Sequence, residues 1–127
     1  MMSQRPDGSS APFDFGKLKA RWERERAETS IVSARLGAHV RRTATPILRA
    51  YGVTCAYLFG SIAERRAGVR SDVDLLVLGV AAEAYWDLRR DLEQALGRPL
   101  DLFTQADDPV FVAKVMARGE VIYGSFP

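Results

Sequence analysis

The chain has 127 residues, enough for one domain with a modest core, and its apolar fraction of 47% is ordinary for a globular protein. A formal net charge of +2 excludes the strongly basic surface of a typical nucleic-acid binder, so we expect no direct nucleic-acid binding. A single cysteine excludes a disulfide framework and no segment approaches the ~20 apolar residues of a membrane span, so we expect a cytoplasmic protein.

The N-terminal part of the chain predicts a tail followed by helices. Residues 1–14 are rich in Ser, Pro and Gly and are expected to be disordered. Residues 15–30 are charged and compatible with a helix that has little apolar surface of its own to bury. Apolar residues at every fourth position then predict a further helical stretch, which Pro46 kinks or restarts. The expected segments are a tail at 1–14, a helical extension at 15–46 and a domain at 47–127.

Beyond Pro46 the pattern predicts a small α/β domain. Apolar runs bounded by turn residues indicate strands at 53–59, 72–78 and 99–103, and an edge strand at 120–123. Helices are expected at 61–66, at 81–96 and from Pro109 to Gly119. We therefore expect an α/β (α+β) fold, a small mixed β-sheet with helices packed on one side of it.

The most informative motif lies between the first two strands. Gly60-Ser61 is followed by ten residues and then by Asp72-Val73-Asp74 at the start of an apolar strand. Residues i and i+2 of a strand point to the same face, so the two carboxylates project together and repel each other unless a cation lies between them. Such oxygen ligands suit Mg²⁺ or Mn²⁺. The alternative is a pair of acids at an ordinary turn or helix cap.

A third carboxylate follows from the expected topology. A strand–helix–strand crossover makes its two strands parallel in one sheet. Asp101, on the strand that begins near Pro99, should then lie at the same end of the sheet as Asp72 and Asp74. The alternative for Asp101 is an ion pair with a neighbour such as Arg98.

The turn before these acids suits a phosphate group. Glycine at position 60 permits a close approach of the backbone to a ligand. Ser61 then opens a short helix whose free amides and hydroxyl could hold phosphate, and it could equally be a helix N-cap.

This combination of a glycine-serine turn, exact spacing, apolar strands and a third strand acid resembles the signature of the minimal nucleotidyltransferases of the DNA polymerase beta superfamily. The resemblance extends over about residues 47–123 and implies transfer of AMP from ATP to a hydroxyl group. It implies two Mg²⁺ ions held by Asp72 and Asp74, with Asp101 on the ion that activates the acceptor. The implied nucleotide-binding residues are Gly60, Ser61, Arg65, Arg70 and Ser71.

The loop after the turn departs from the family pattern. Relatives often carry Gly-Ser-x-Ala-Arg-Gly, whereas this chain has Glu64 and Arg65 at the last two of those positions. The loop arginines are Arg65, Arg66 and Arg70. The sequence does not decide which of these arginines contacts the triphosphate. Each of them could instead be a solvated charge of the loop.

The resemblance also implies a partner. Family members of this size, the MntA-like antitoxins, commonly pair with a small helical HEPN RNase toxin and adenylylate a tyrosine on it. A homo- or hetero-oligomer is expected, because the domain is small for both a nucleotide site and an acceptor pocket. The alternatives are a nucleotide-binding module that neutralises its partner by contact alone, and nucleotidyl transfer to a small molecule with a separate substrate-binding subunit.

Overall fold

The computed structural model describes residues 14–68 and 71–125, and within these ranges the chain forms a four-stranded mixed sheet with helices. The strands are β1 (Cys55–Phe59), β2 (Val73–Leu78), β3 (Leu100–Thr104) and β4 (Glu120–Gly124). The helices are α1 (Phe15–Ala50), α2 (Gly60–Ala63), α3 (Tyr85–Leu96, after a single 3-10 turn) and α4 (Pro109–Arg118). The predicted mixed α/β fold is confirmed, with element bounds that differ from the expected ones by a few residues.

The strand order is β3-β2-β1-β4. Strands β2 and β3 are parallel, as the crossover through α3 requires, and β1 is antiparallel to both β2 and β4. Strand β4 lies at an edge, as expected. The parallel pair is the part of the sheet that brings the predicted carboxylates to one end.

The N-terminal helix is longer than the sequence indicated. Helix α1 runs without interruption through Pro46, so the expected restart at that residue is wrong. It begins at an Asp14 cap that accepts a hydrogen bond from the Lys17 backbone at 3.1 Å. Packing maintains the helix around the proline, because Ala44 and Leu48 are fully buried against the sheet. The prediction for residues 1–13 lies outside the described residues.

The helices lie on both faces of the sheet, which corrects the expectation of a one-sided arrangement. Helices α1 and α3 pack on one face and bury the main core, which includes Leu48, Leu75 and Leu92. Helix α4 packs on the opposite face, where Val115 joins a smaller cluster with Leu76. Successive side chains of β2 point to opposite faces of the sheet, so they pack alternately against α1 and α3 or against α4. Within the described residues, no helix is both long enough and apolar enough to cross a membrane.

Candidate active site

Two of the predicted acids lie side by side at the beginning of the parallel pair. Asp74 on β2 and Asp101 on β3 are direct partners in the strand register, and Phe59 at the end of β1 is opposite Asp74 on the other side. Residues at alternate positions share a face, so Asp74 lies on the same face as Leu76, the face that α4 covers in part. The third acid, Asp72, is exposed and immediately precedes β2.

The three acids interact electrostatically. Burial, then the neighbouring Asp101 carboxyl and then the charge of Asp72 together raise the pKa of the Asp74 carboxyl from 3.8 to about 6. Arg98 donates a hydrogen bond from Nη1 to the Ser71 carbonyl oxygen at 3.3 Å, beside Asp72 in the chain. The acids thus form a cluster with mutual repulsion, which a divalent cation between them would relieve.

The donor set fits a hard divalent cation, although the side chains are not gathered into a complete metal cage. Within the ranges that the structure describes, no three Asp, Glu, His or Cys side chains converge closely enough to hold an ion. Asp74 and Asp101 nevertheless offer carboxylate oxygens from adjacent strands, with Asp72 next to them. Mg²⁺ commonly takes only one or two carboxylates and fills its remaining positions with water and substrate phosphates.

Gly60 is held tightly against Asp74. Its φ of +75° lies in the left-handed region that favours glycine. A Cβ atom at this position would overlap Oδ2 of Asp74 and would lie only 3.1 Å from its Cγ. The backbone conformation favours glycine, and an added Cβ atom would displace the Asp74 carboxylate, so the glycine-serine turn lies in contact with that carboxylate. Ser61 follows, half-buried in the first turn of α2.

The structure describes two of the other predicted nucleotide-binding residues, Arg65 and Ser71. Arg65 is exposed, has a φ of +61° and lines a cavity of about 300 Å³ between α1 and α2. The Ser71 hydroxyl accepts a hydrogen bond from the Gly68 backbone at 3.0 Å, so it stabilises its own loop. Arg70 lies outside the described residues. The structure brings together Gly60, Asp74 and Asp101, with Asp72 near them, whereas Arg65 lines the cavity between α1 and α2.

A cleft beside the turn was not anticipated from the sequence. It has a volume of about 400 Å³ and lies between α2 and α4, with Phe59 and Gly60 in its lining. Helix α4 contributes Lys114 and Arg118. Their spacing of four residues was a signal in the sequence, but only the position of α4 on this face of the sheet gives it meaning.

Two comparisons of sequence place this chain among nucleotide-transferring proteins. Residues 43–125 match the model of the family described as polymerase beta, nucleotidyltransferase. A protein of Methanocaldococcus jannaschii named as a protein adenylyltransferase is 37% identical over 68 residues, which are 51% of this chain and 73% of that protein.

Solved structures give matches of the same kind. A toxin–antitoxin complex with AMP-PNP contains a chain of 28% identity and TM-score 0.56, covering 63% of this chain and 69% of that chain. The toxin–antitoxin complex MntA-HepT gives 27% identity and TM-score 0.50, covering 63% and 66% of the two chains. A Shewanella oneidensis complex of a tri-AMPylated HEPN toxin with an MNT antitoxin gives 24% identity and TM-score 0.56, covering 70% and 73%, and supports the fold alone.

Proposed function

This chain belongs to the polymerase beta nucleotidyltransferase family, and from that membership we propose that it transfers AMP from ATP to a hydroxyl group of a partner protein. One observation carries the proposal: Gly60 is packed against Asp74, and Asp74 is in register with Asp101 on the neighbouring parallel strand. A turn that can approach phosphate and carboxylates that can bind metal are thereby in contact.

Each residue has a chemical role in this proposal. Asp72 and Asp74 would hold two Mg²⁺ ions, which would neutralise phosphate charge. Asp101 orients the acceptor hydroxyl and accepts its proton as the acceptor oxygen bonds to the α-phosphorus. The bond from the α-phosphorus to the bridging oxygen breaks, and pyrophosphate leaves. Gly60 and Ser61 hold the β- and γ-phosphates through backbone amides and the serine hydroxyl, so the protein contributes mainly positioning and charge.

The partner that we propose is a HEPN-type toxin or another small helical protein, with this chain as its antitoxin. The solved structures that resemble this chain include toxin–antitoxin complexes, one of them holding AMP-PNP. The relative from Methanocaldococcus jannaschii carries the name of a protein adenylyltransferase. The acceptor is then a hydroxyl on the partner, most simply that of a tyrosine.

The position of the label in ATP tests the type of transfer. The purified protein is incubated with Mg²⁺ and either α-labelled or γ-labelled ATP, alone and with the product of the adjacent gene. Nucleotidyl transfer predicts protein-bound label from the α-phosphate only. Label from the γ-phosphate would indicate phosphoryl transfer and would contradict the proposal. Replacing Mg²⁺ with EDTA is the control and should abolish the labelling.

A further inference from the structure

The cleft between α2 and α4 opens at the proposed catalytic centre. Two residues of its lining connect it to the carboxylates: Phe59 is the register partner of Asp74, and Gly60 packs against the Asp74 carboxylate. A group held at the glycine-serine turn would therefore enter this cleft. Its volume of about 400 Å³ accommodates several phosphate groups or part of a nucleotide.

The charge in this cleft is positive and uncompensated. Lys114 and Arg118 are exposed, stand one turn apart on α4 and have no carboxylate within ion-pair distance among the described residues. The acid that also lines the cleft, Glu64, is already paired with Arg66 at 2.8 Å. Helix α4 itself carries no acidic residue. Two cations thus face a space that offers them no partner from the described chain.

The apolar part of the cleft strengthens any charge interaction there. Phe59 and Phe111 are half-buried, with ring centroids 5.6 Å apart, and both line the cleft. Aromatic walls exclude water, so a cation and an anion attract each other more strongly than on an open surface.

We propose that this cleft binds the polyphosphate of the nucleoside triphosphate, with Lys114 and Arg118 pairing with oxygens of the β- and γ-phosphates. The inference rests on the proposed function and deepens it, because it adds two positioning residues that neither the motif nor the register identifies. The same two cations would stabilise the negative charge on pyrophosphate as the bond to the α-phosphorus breaks. A polyphosphate fits better than an acidic peptide, because the cleft is continuous with the turn that meets Asp74.

The test compares ligands that differ in their phosphates. Binding of AMP-PNP, tripolyphosphate and AMP, each with Mg²⁺, is measured by calorimetry for wild type and for the double variant Lys114→Ala/Arg118→Ala. We expect the affinity for AMP-PNP and for tripolyphosphate to fall at least about tenfold, since two charge-assisted contacts are lost, and the affinity for AMP to change less than about twofold.

A matched control variant likewise removes two positive charges, but from a different helix. Lys19→Ala/Arg49→Ala removes one exposed lysine from the interior of α1 and one arginine from its last turn, as the test variant does in α4. The control should bind all three ligands like wild type. The single variant Arg118→Lys, which keeps the charge, should retain most of the affinity. Thermal unfolding of every variant verifies the fold.

The outcomes separate this inference from the proposed function. Loss of tripolyphosphate binding in the α4 variant alone supports the inference that the cleft binds polyphosphate, even if no transfer is detected. Equal AMP-PNP binding by wild type and the α4 variant overturns the inference and leaves the proposed function standing. Failure of the wild type to bind any polyphosphate overturns the inference. If the α4 variant binds polyphosphate normally but no longer labels an acidic partner protein, the cleft serves the acceptor and the inference is wrong.

Discussion

Two independent features favour glycine at position 60, its backbone conformation and its contact with the Asp74 carboxylate. Its positive φ costs an L-residue about 1 kcal/mol, and the space that a side chain would occupy already holds the Asp74 carboxylate. The requirement for glycine therefore belongs to the site and not only to the turn. The motif spacing indicated that the glycine would lie near the acids, but the contact itself is a tertiary feature.

The substitution Gly60→Ala should abolish nucleotide transfer, because the new methyl group displaces the Asp74 carboxylate. Labelling from α-labelled ATP measures the effect. Gly97→Ala is the control for the backbone conformation, since Gly97 has a φ of +66° and nothing within 4 Å of the added atom. It should lose about 1 kcal/mol of stability and keep its activity. Full activity in Gly60→Ala would show that the close contact with Asp74 does not matter for the reaction.

Asp74 gives a prediction for the metal-free protein. Its pKa is about 6 in the folded state against 3.8 as the ordinary value, so the folded protein binds more protons between these pH values. The free energy of unfolding should therefore decrease as the pH rises through this window. Above pH 6 the folded state carries the full free-energy cost of an ionised Asp74. The substitution Asp74→Asn removes this cost. In EDTA at pH 8 it should stabilise the protein by about 1–2 kcal/mol, after allowance for the partial exposure of the carboxylate.

The measurement is denaturant unfolding of wild type and Asp74→Asn at pH 8 and near pH 4, both in EDTA. The stabilisation should shrink at the lower pH, where both folded proteins carry a neutral side chain at this position. An equal effect at both pH values, or a destabilisation at pH 8, would contradict the raised pKa that burial and the neighbouring carboxylates give Asp74.

The two halves of helix α1 differ in how deeply they are buried. The buried side chains of α1 are Ser33, Val40, Ala44 and Leu48, and all of them lie in its second half. The charged first half contributes no buried side chain among the described residues. The sequence predicted this polarity but also a kink or restart at Pro46, because packing that holds a helix across a proline depends on contacts distant in sequence.

Removal of residues 1–28 should therefore leave the domain folded and able to bind nucleotide. We expect the melting temperature to change by less than about 4 °C, which corresponds to about 1 kcal/mol, and the affinity for AMP-PNP to stay the same. Leu48→Ala in the same helix is the contrasting variant and should cost about 2–5 kcal/mol, since Leu48 is fully buried. Unfolding of the shortened chain would show that the first half of α1 supports the fold.

The connection rule for strand–helix–strand units was sufficient to predict that the acids lie at one end of the sheet. It predicted β2 parallel to β3, and the register then aligns Asp74 with Asp101. The position of α4 was not predictable in this way, because its apolar stripe fits either face of a sheet. The cleft that Lys114 and Arg118 line was therefore not predictable from the sequence, because it forms only when α4 lies on the face that carries the acids.

If the carboxylate cluster transfers AMP to a partner protein, the intact mass of that partner increases by the mass of each AMP unit added. The product of the adjacent gene, as the candidate partner, is incubated with Mg²⁺-ATP and either wild type or Asp72→Asn/Asp74→Asn. We predict a gain of one or more AMP units with wild type and none with the double variant, which should still fold and bind the partner. A partner that gains no mass, yet is neutralised in cells by both proteins, would contradict the claim and indicate neutralisation by contact alone.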